Sequence, residues 1–411
     1  MPGSSFGVGP GSLLPIVALP DTDEPVIAKT LQLRPWLAAG FLLGTLAVMS
    51  GCAGDPPDPR IKFDEQLNKD LTTAYQPSHS ETTSWDATWQ FDKQSVGVTW
   101  LAPVSHERVP LIIYLPGLGE SASAGEEWRA SWAQAGYAVL SIQGNAYGPA
   151  VFATPLAQAG DFRAMASNGF SNASLRDRLS IVQKVVSEVQ ARAAKGDAQL
   201  AAIDWNQVVV AGFDLGAQTA AVMVGAHEPG TASGVDVQPK AALLLSPYVE
   251  AGAKQEVFAR INAPVLSITG PDDEDPFNWV NSYRQRQVLG ESVTVAGSYQ
   301  VELNRATHKT LSGTLLVTRP VPHELKAPEP PPSSNQAKGK GHKSSSGGAR
   351  GPMAAEPATD PKQVAAIRSI SQAFLDSQLK HSSAASDWLQ KSASGWLSDA
   401  GRMREPIGAA R

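Results

Sequence analysis

Three side chains of this chain have the types and the order needed for nucleophilic chemistry. Asp214 lies at the tip of the short turn "GFDLG", between a strand-like run and a helix-like run. Asp273 lies in the acidic turn "TGPDDEDP", and His308 follows the strand-like run "SYQVEL". A carboxylate in such a turn can attack an electrophilic carbon, and a histidine oriented by a second carboxylate can serve as the base. The order nucleophile, acid, histidine therefore predicts a catalytic site.

Two glycines flank the proposed nucleophile at a distance of two residues. Gly212 and Gly216 would allow a strand to turn sharply into a helix, where larger side chains would collide. The central residue of such a turn is held in strained backbone geometry. The sequence therefore predicts a strand-turn-helix elbow with Asp214 at its tip.

Nearby acids could take the place of Asp273, whereas the position of His308 distinguishes it from the other histidines. Asp273 is the third residue after Gly270, but Asp272 and Asp275 are possible substitutes, and the whole acidic cluster could be a solvated turn. His308 is the one histidine of seven that follows a terminal strand in this way. We therefore expect His308 as base and Asp273 as the group that orients it.

The run "LPGLGES" supplies a candidate for binding a negatively charged intermediate. Gly117 and Gly119 let backbone amides converge after the third strand. Together with the residue after the nucleophile, the amides of Leu118 and Leu215 would form an oxyanion hole. An ordinary Gly-Pro turn is the alternative.

The elements needed to position these residues are visible as periodic patterns. Two alternating strands and one continuously apolar strand begin at residues 84, 95 and 109. Helix and strand then alternate, with a long apolar helix face from 174 to 196 and a last strand at 298–303. This pattern predicts a three-layer α/β fold, with a mostly parallel, twisted sheet covered by helices on both faces. The intervening stretch 144–172 is expected to be a long loop with four aromatic side chains that could roof the site or only pack: Tyr147, Phe152, Phe162 and Phe170.

Composition limits the class of protein. The 411 residues are 42% hydrophobic, with 34 Lys and Arg against 39 Asp and Glu and a net charge of -5. A globular chain of this size can bury a substantial core. Nucleic acid is not expected as a partner, because no basic cluster is present in the globular part. A small-molecule substrate or ligand is expected instead.

The single cysteine ends a segment typical of a bacterial lipoprotein signal. Arg34 gives a positive flank, residues 36–49 are apolar, and Ser50 and Gly51 precede Cys52. The run is shorter than the ~18 apolar residues that cross a bilayer. We expect cleavage before Cys52 and a lipid on its thiol; a free buried thiol is the alternative.

This signal sets the expected organisation of the N-terminal part. Residues 1–51 form a leader and signal segment, with Leu31 as a plausible true start, and residues 52–82 look like a polar tether. Ala53 is not the Asp that commonly retains lipoproteins at the inner membrane. By resemblance to other lipoproteins, the protein is expected in the bacterial cell envelope, at the outer membrane facing the periplasm.

The remaining boundaries follow from composition. The candidate site lies in an expected domain of residues 83–318, followed at 319–360 by a Pro-, Ser- and Gly-rich insertion that lacks the apolar residues needed for order. Residues 361–399 are expected to be the last helix of that domain, with Asp360 as N-cap and Pro361 in the first turn. Residues 400–411 are expected to be a tail.

The chain resembles a known superfamily over residues 84–318 and 361–399. The runs "LPGLG", "AGYAVLSIQ", "IDWNQVVVAGFDLGAQTA", "APVLSITGPDD", "ATHKTLSG" and "ISQAFLDSQLK" are similar to α/β-hydrolases related to dienelactone hydrolase and to bacterial platelet-activating-factor acetylhydrolase-like esterases. This resemblance implies a hydrolase of carboxylic esters or similar acyl groups, with no cofactor and no metal.

The departure from those relatives is at the nucleophile. They have Ser or Cys where this chain has Asp214, and a carboxylate that attacks an ester forms an anhydride while it expels a poorer leaving group. Asp in the elbow is used by haloalkane dehalogenases and epoxide hydrolases, where it attacks an sp3 carbon. Those enzymes usually have Trp at the position of Leu215 and a helical cap, for which residues 250–263 are too few. The expectation is thus an ester-type hydrolase with an Asp-His-Asp triad; the alternatives are a catalytically silent binding scaffold and, third, dehalogenase or epoxide chemistry.

Overall fold

Most strands of the protein lie in segments whose apolar residues alternate or run continuously. The structure is a computed structural model, which describes residues 58–105, 107–227, 233–249, 255–315, 317 and 358–405. The strands within these residues are β1 Thr82–Phe91, β2 Gln94–Pro103, β3 Val109–Leu115, β4 Ala138–Gly144, β5 Ile203–Phe213, β6 Ala241–Leu245, β7 Val265–Thr269, β8 Tyr299–Leu303 and β9 Gly401–Arg404.

All of these strands join one sheet. Their order across it is β1-β2-β4-β3-β5-β6-β7-β8-β9. The six strands from β4 to β8 in this order pair in parallel, whereas β1, β2 and β9 pair antiparallel with their neighbours. The carboxyl ends of the parallel strands therefore meet at one edge, which is where α/β proteins usually bind ligands.

Helices fill the connections between the strands. Within the described residues they are α1 Pro59–Thr72, α2 Glu126–Gln134, α3 Pro155–Gln158, α4 Phe162–Phe170, α5 Asn172–Ala194, α6 Ala198–Ala201, α7 Leu215–Met223, α8 Gln255–Phe258, α9 Tyr283–Ser292, α10 His308–Leu311, α11 Pro361–Leu379, α12 Ser383–Lys391 and α13 Ala393–Leu397. Short 3-10 turns occupy Pro149–Ala153 and Ser398–Ala400. None of the described helices combines the length and the apolar character that a membrane crossing requires.

The sheet has an apolar core on each face. Leu111 and Ile113 of β3 lie in the core that also contains buried residues of α5, α7 and α9. Ile112 and Tyr114 lie in the opposite core, with buried residues of α1, α2, α11 and α12. Successive residues of a strand point to opposite faces, which is why a central strand must be apolar throughout. The mixed α/β class is confirmed, and the layering is compatible with a three-layer fold.

The segment expected to be a tether is in part a helix. Asp58 accepts a hydrogen bond from the amide of Arg60 as the N-cap of α1, and Phe63 and Leu67 are buried against the C-terminal helices. Two apolar residues four apart are enough to fix one side of a helix on an existing core, although they give little periodic signal. The tether prediction is therefore wrong for residues 59–72.

Three further expectations about element boundaries are also wrong. The stretch 144–172 contains α3, α4 and a 3-10 turn rather than one long loop, since Thr154 and Asp161 cap short helices there. The region 361–399 is three helices rather than one, although Asp360 caps α11 as expected. Residues of the expected tail form β9, so that β8 is not the last strand. The leader with Cys52 and the insertion up to residue 357 lie outside the described residues.

A buried carboxylate attaches α11 to the sheet. Asp376 accepts hydrogen bonds from the hydroxyls of Tyr137 at 2.5 Å and Tyr75 at 2.7 Å, and it pairs with Lys380 at 2.8 Å. Burial, followed by the effects of Asp376, raises the pKa of Tyr75 to about 12, so this hydroxyl stays protonated as a donor. The cluster joins residues that the insertion separates in sequence.

We predict that Asp376→Ala lowers the free energy of unfolding by about 2–3 kcal/mol, because it leaves two tyrosine hydroxyls without their acceptor in a buried site. Urea unfolding followed by circular dichroism measures the change. The matched control is Asp387→Ala, since Asp387 forms an equally spaced but exposed pair with Lys391 and should change stability by less than about 0.5 kcal/mol. Equal effects of the two substitutions would contradict this role of Asp376.

Candidate active site

Asp214 occupies a strained turn between β5 and α7. Its backbone has φ 48° and ψ −108°, a conformation that non-glycine residues rarely adopt, and its amide donates to the carbonyl of Leu245 at 3.0 Å. A Cβ on Gly216 would overlap the carbonyl oxygen of Leu115, and a Cβ on Gly212 would overlap the backbone of Gly216. The structure thus contains the sharp turn that the two glycines indicate.

A buried arginine of helix α5 holds helix α7 in place. Arg178 of α5 is buried and donates to the hydroxyl of Thr219 at 2.9 Å and to the side-chain oxygen of Gln218 at 2.5 Å. The Asp214 side chain does not cap this helix, so its carboxylate is not engaged with the first amides of α7. Arg178 therefore fixes the helix while the Asp214 carboxylate remains available to other groups.

His308 and Asp273 form a direct contact at the carboxyl edge of the sheet. Nδ1 of His308 lies 2.7 Å from Oδ1 of Asp273, and Thr269 donates to Oδ2 at 2.8 Å. Ser246 donates to Oδ1 at 2.9 Å and lies 3.1 Å from Nδ1 of His308. Because Nδ1 is engaged in this way, Nε2 is the ring nitrogen left for a substrate or a water molecule.

The groups around Asp273 favour the charged form of its carboxyl although the side chain is buried. Burial alone would raise the pKa of its carboxyl, but the charge of Arg286 and the hydrogen bonds from His308 and Thr269 outweigh burial and hold the pKa below its ordinary value. A charged carboxylate keeps the imidazole in one orientation. Asp273 can therefore orient His308 as a base.

The two alternative acids have other positions. Asp272 is exposed at the surface of the turn. Asp275 accepts the backbone amides of Phe277 at 3.0 Å and Val280 at 2.6 Å and so closes the following turn. Of these three aspartates, Asp273 is the one that the structure brings to His308.

A buried arginine that sequence reasoning did not single out links the two aspartates. Arg286 of α9 is fully buried; its Nη1 lies 3.3 Å from Oδ1 of Asp214, and its Nε lies 3.5 Å from Oδ2 of Asp273. Nη1 also donates to the carbonyl of Ser246 at 2.9 Å. Burial alone would lower the pKa of Arg286, but Asp273 and Asp214 raise it. The guanidinium is thus a permanent positive charge under the site.

Asp214 is paired with this arginine and not with the histidine. No ion pair within 4.0 Å joins Asp214 and His308, both of which are among the described residues. Burial raises the pKa of the Asp214 carboxyl, with the charges of His308 and Arg286 opposing it. Asp214, Asp273 and His308 are therefore brought to one place, but through Arg286 rather than as a continuous hydrogen-bonded chain.

The predicted oxyanion loop contains a carboxylate of its own. Leu118 follows Gly117 in the loop after β3, and Leu215 is the first residue of α7, so both lie beside the turn of Asp214. The amide of Gly117 donates to Oε2 of Glu120 at 2.8 Å. One amide of the loop is therefore already occupied by a side chain.

Of the four aromatic residues expected either to roof the site or to pack, two are buried. Tyr147 and Phe170 are buried, whereas Phe162 is exposed. Phe152 is 46% exposed, and its ring lies against the backbone of Gly119 in the oxyanion loop. Phe152 is thus the aromatic side chain of this group that borders the candidate site.

A small cavity lies behind the turn and not at the candidate site. Its volume of about 20 Å³ is that of roughly one water molecule, and Arg178, Gly216 and Thr219 are among its lining residues. Asp214, Asp273 and His308 do not line it. Among the described residues, no group of three or more His, Cys, Asp and Glu side chains is arranged to hold a metal ion.

Three functional candidates escaped the sequence analysis: Arg286, Glu120 and Ser246. Glu120 stands inside the run "LPGLGES", and Ser246 directly follows β6 at the active edge of the sheet, so their positions offered a signal. Arg286 offered none, since nothing distinguishes it from Arg284 two residues earlier. Comparison with family models and with curated proteins gave no match for this chain.

We predict that Arg286→Met destabilises the protein by about 3–5 kcal/mol, because two buried carboxylates lose their counter-charge. Asp214→Asn in the same chain should recover part of this loss, and the coupling between the two changes should exceed about 1 kcal/mol. Arg284→Met is the control, since Arg284 is exposed on the same helix and should alter stability by less than about 0.5 kcal/mol. Additive effects at 214 and 286 in urea unfolding would refute the ion pair.

Proposed function

We propose that this protein is a hydrolase of the α/β-hydrolase fold that cleaves an ester or related acyl bond through Asp214, His308 and Asp273. The observation that carries the proposal is the 2.7 Å contact between His308 and Asp273 beside the strained turn of Asp214. Strained backbone is costly and is retained where the surrounding structure needs it, most often at reactive sites. A fold alone would not support the function; the grouping of these three side chains does.

The reaction would proceed in two halves. The Asp214 carboxylate attacks the acyl carbon, the bond from this carbon to the leaving group breaks, and the leaving group departs as an anion, which later takes up the proton that His308 removes from water. The product is a mixed anhydride on Asp214. His308 then removes a proton from water, the resulting hydroxyl attacks the substrate acyl carbon, and Asp214 departs as a carboxylate. Asp273 holds the imidazole through both halves.

This chemistry restricts the substrate. A carboxylate nucleophile can displace only a group that is itself stable as an anion, because the intermediate anhydride is more reactive than an alkyl ester. We therefore expect activity on aryl esters, enol esters and thioesters, and little on simple alkyl esters. The amides of Leu118 and Leu215 would stabilise the oxyanion in each half.

One observation favours the second candidate, a silent binding scaffold. Arg286 holds Oδ1 of Asp214 at 3.3 Å, and Glu120 holds the amide of Gly117 at 2.8 Å. Each contact engages a group that a hydrolase would otherwise present to its substrate. A protein that kept the fold without the reaction would tolerate both contacts.

We predict that the protein, from Cys52 onward, hydrolyses p-nitrophenyl butyrate and a phenyl thioester faster than ethyl butyrate, an epoxide or a haloalkane. Asp214→Asn and His308→Gln should each lower kcat at least about 100-fold, because the first removes the nucleophile and the second the base. Absorbance and product analysis measure turnover.

The control for these variants is Asp272→Asn, which removes an exposed carboxylate one residue before Asp273 and should leave turnover unchanged. A protein inactive on every substrate, with activity gained only in Asp214→Ser, would contradict the carboxylate mechanism and support the silent scaffold. Thermal unfolding of each variant separates loss of chemistry from loss of fold.

We further propose that the chain is anchored in the bacterial envelope by a lipid on Cys52, at the outer membrane facing the periplasm. The short apolar run that ends at Cys52 supports this location. In cells of a bacterial expression host, the wild-type chain should incorporate radiolabelled palmitate and sediment with membranes. Cys52→Ser should lose both properties; a soluble wild-type chain without label would refute the anchor.

A further inference from the structure

One hydrogen bond fixes the Glu120 carboxyl in the oxyanion loop, and several others fix the backbone of the loop around it. Its Oε2 accepts the amide of Gly117 at 2.8 Å. The side-chain amide of Gln143 donates to the carbonyls of Gly117 at 2.9 Å and Glu120 at 3.0 Å, and the amide of Gly119 donates to the carbonyl of Tyr147 at 2.8 Å. The carboxyl group therefore has a defined place in the loop.

The Glu120 carboxyl lies close to the candidate catalytic side chains. The ring of Phe213 lies against Gly117, where a Cβ would come within 2.8 Å of Cδ1, and the same ring lies 4.7 Å from the ring of His308. Oε2 of Glu120 would lie 3.2 Å from that Cβ position. Glu120, Gly117 and His308 are thus neighbours around one aromatic ring.

The groups that face Glu120 come from three elements. His308 at the start of α10 and Asp214 at the turn after β5 shift the pKa of Glu120. Glu120 in turn shifts the pKa of Tyr114, a buried residue of β3. Burial raises the pKa of Glu120 to about 7; Asp214 adds to the increase, whereas the Gly117 amide and His308 reduce it. Burial and then Glu120 raise the pKa of Tyr114, which therefore stays neutral.

We propose that Glu120 is a third oxyanion donor: as a neutral carboxylic acid it accepts the Gly117 amide through Oε2 and donates the proton on Oε1 to the anionic oxygen of the tetrahedral intermediate. The proposal rests on the hydrolase function above. The proton stays on Glu120 throughout, so no bond to it breaks and no further reactant is needed. An acid kept neutral in an apolar site is an effective hydrogen-bond donor to an oxyanion.

The opposite ionisation state would abolish this role. A charged carboxylate at the same position would repel the developing oxyanion and would have no proton to donate to it. Activity should therefore be present below pH about 7, where Glu120 holds its proton, and should fall as pH rises through this value. Removal of one oxyanion donor typically lowers kcat about 100- to 1000-fold.

We predict that wild-type kcat on p-nitrophenyl butyrate falls above pH about 7 and that Glu120→Gln removes this alkaline loss, because an amide accepts from Gly117 and donates without ionising. Glu120→Leu, which can do neither, should lower kcat about 100-fold at pH 6 with a smaller change in KM. Glu126→Gln is the control, since Glu126 is an exposed acid at the start of α2 and should keep the wild-type pH profile.

An alkaline loss that persists in Glu120→Gln, or a Glu120→Leu enzyme with wild-type kcat at pH 6, would overturn the donor role. If the wild-type chain turns over no substrate at any pH, the hydrolase function fails. Binding of methyl propylphosphonate, a tetrahedral oxyanion that is fully charged at pH 6, then tests the role of Glu120 separately. Wild type and Glu120→Gln should then bind this oxyanion at least about tenfold more tightly than Glu120→Leu, and equal binding by all three would refute the donor.

Discussion

The candidate site depends on one buried ionic contact, the guanidinium of Arg286 between the carboxylates of Asp214 and Asp273. Nη1 reaches Asp214 and the carbonyl of Ser246, while Nε faces Asp273. These groups follow three adjacent parallel strands, β5, β6 and β7, so a single side chain joins three strand ends. Charges buried this deeply are tolerated only when they are paired, and loss of one partner leaves the others uncompensated. The arginine is therefore as necessary as the residues it holds.

This contact also affects the ionisation of the aspartate in the turn, which the proposed reaction needs in its charged form. A buried carboxylate without a partner would take up a proton, and a neutral acid does not attack an acyl carbon. Arg286 and His308 oppose the effect of burial on Asp214. The same pairing makes Asp214 a weaker nucleophile than a free carboxylate, which agrees with a substrate whose leaving group departs easily. Serine at position 214 would instead leave Arg286 with one carboxylate fewer.

Local patterns predicted most of the fold and part of the site. The strands before residue 304, the turn at Asp214, and the positions of Asp273 and His308 follow from apolar periodicity and from glycines at fixed spacing. Helix α1 and strand β9 were missed because each is stabilised by contacts far away in sequence: Phe63 and Leu67 against the C-terminal helices, and a four-residue strand against β8. Arg286 was missed for a similar reason, since helical phase and tertiary packing decide that it is buried while Arg284 is exposed.

The two acids around the oxyanion loop need opposite ionisation states in the proposed reaction: Asp214 charged to attack, and Glu120 neutral to donate. The charge on Asp214 raises the pKa of Glu120, so ionisation of the first favours protonation of the second. Burial raises the pKa of Asp214, and Arg286, which contacts it directly, opposes this increase. The arginine therefore acts on the two acids in opposite directions: it favours the charged form of Asp214, and that charge in turn favours the neutral form of Glu120.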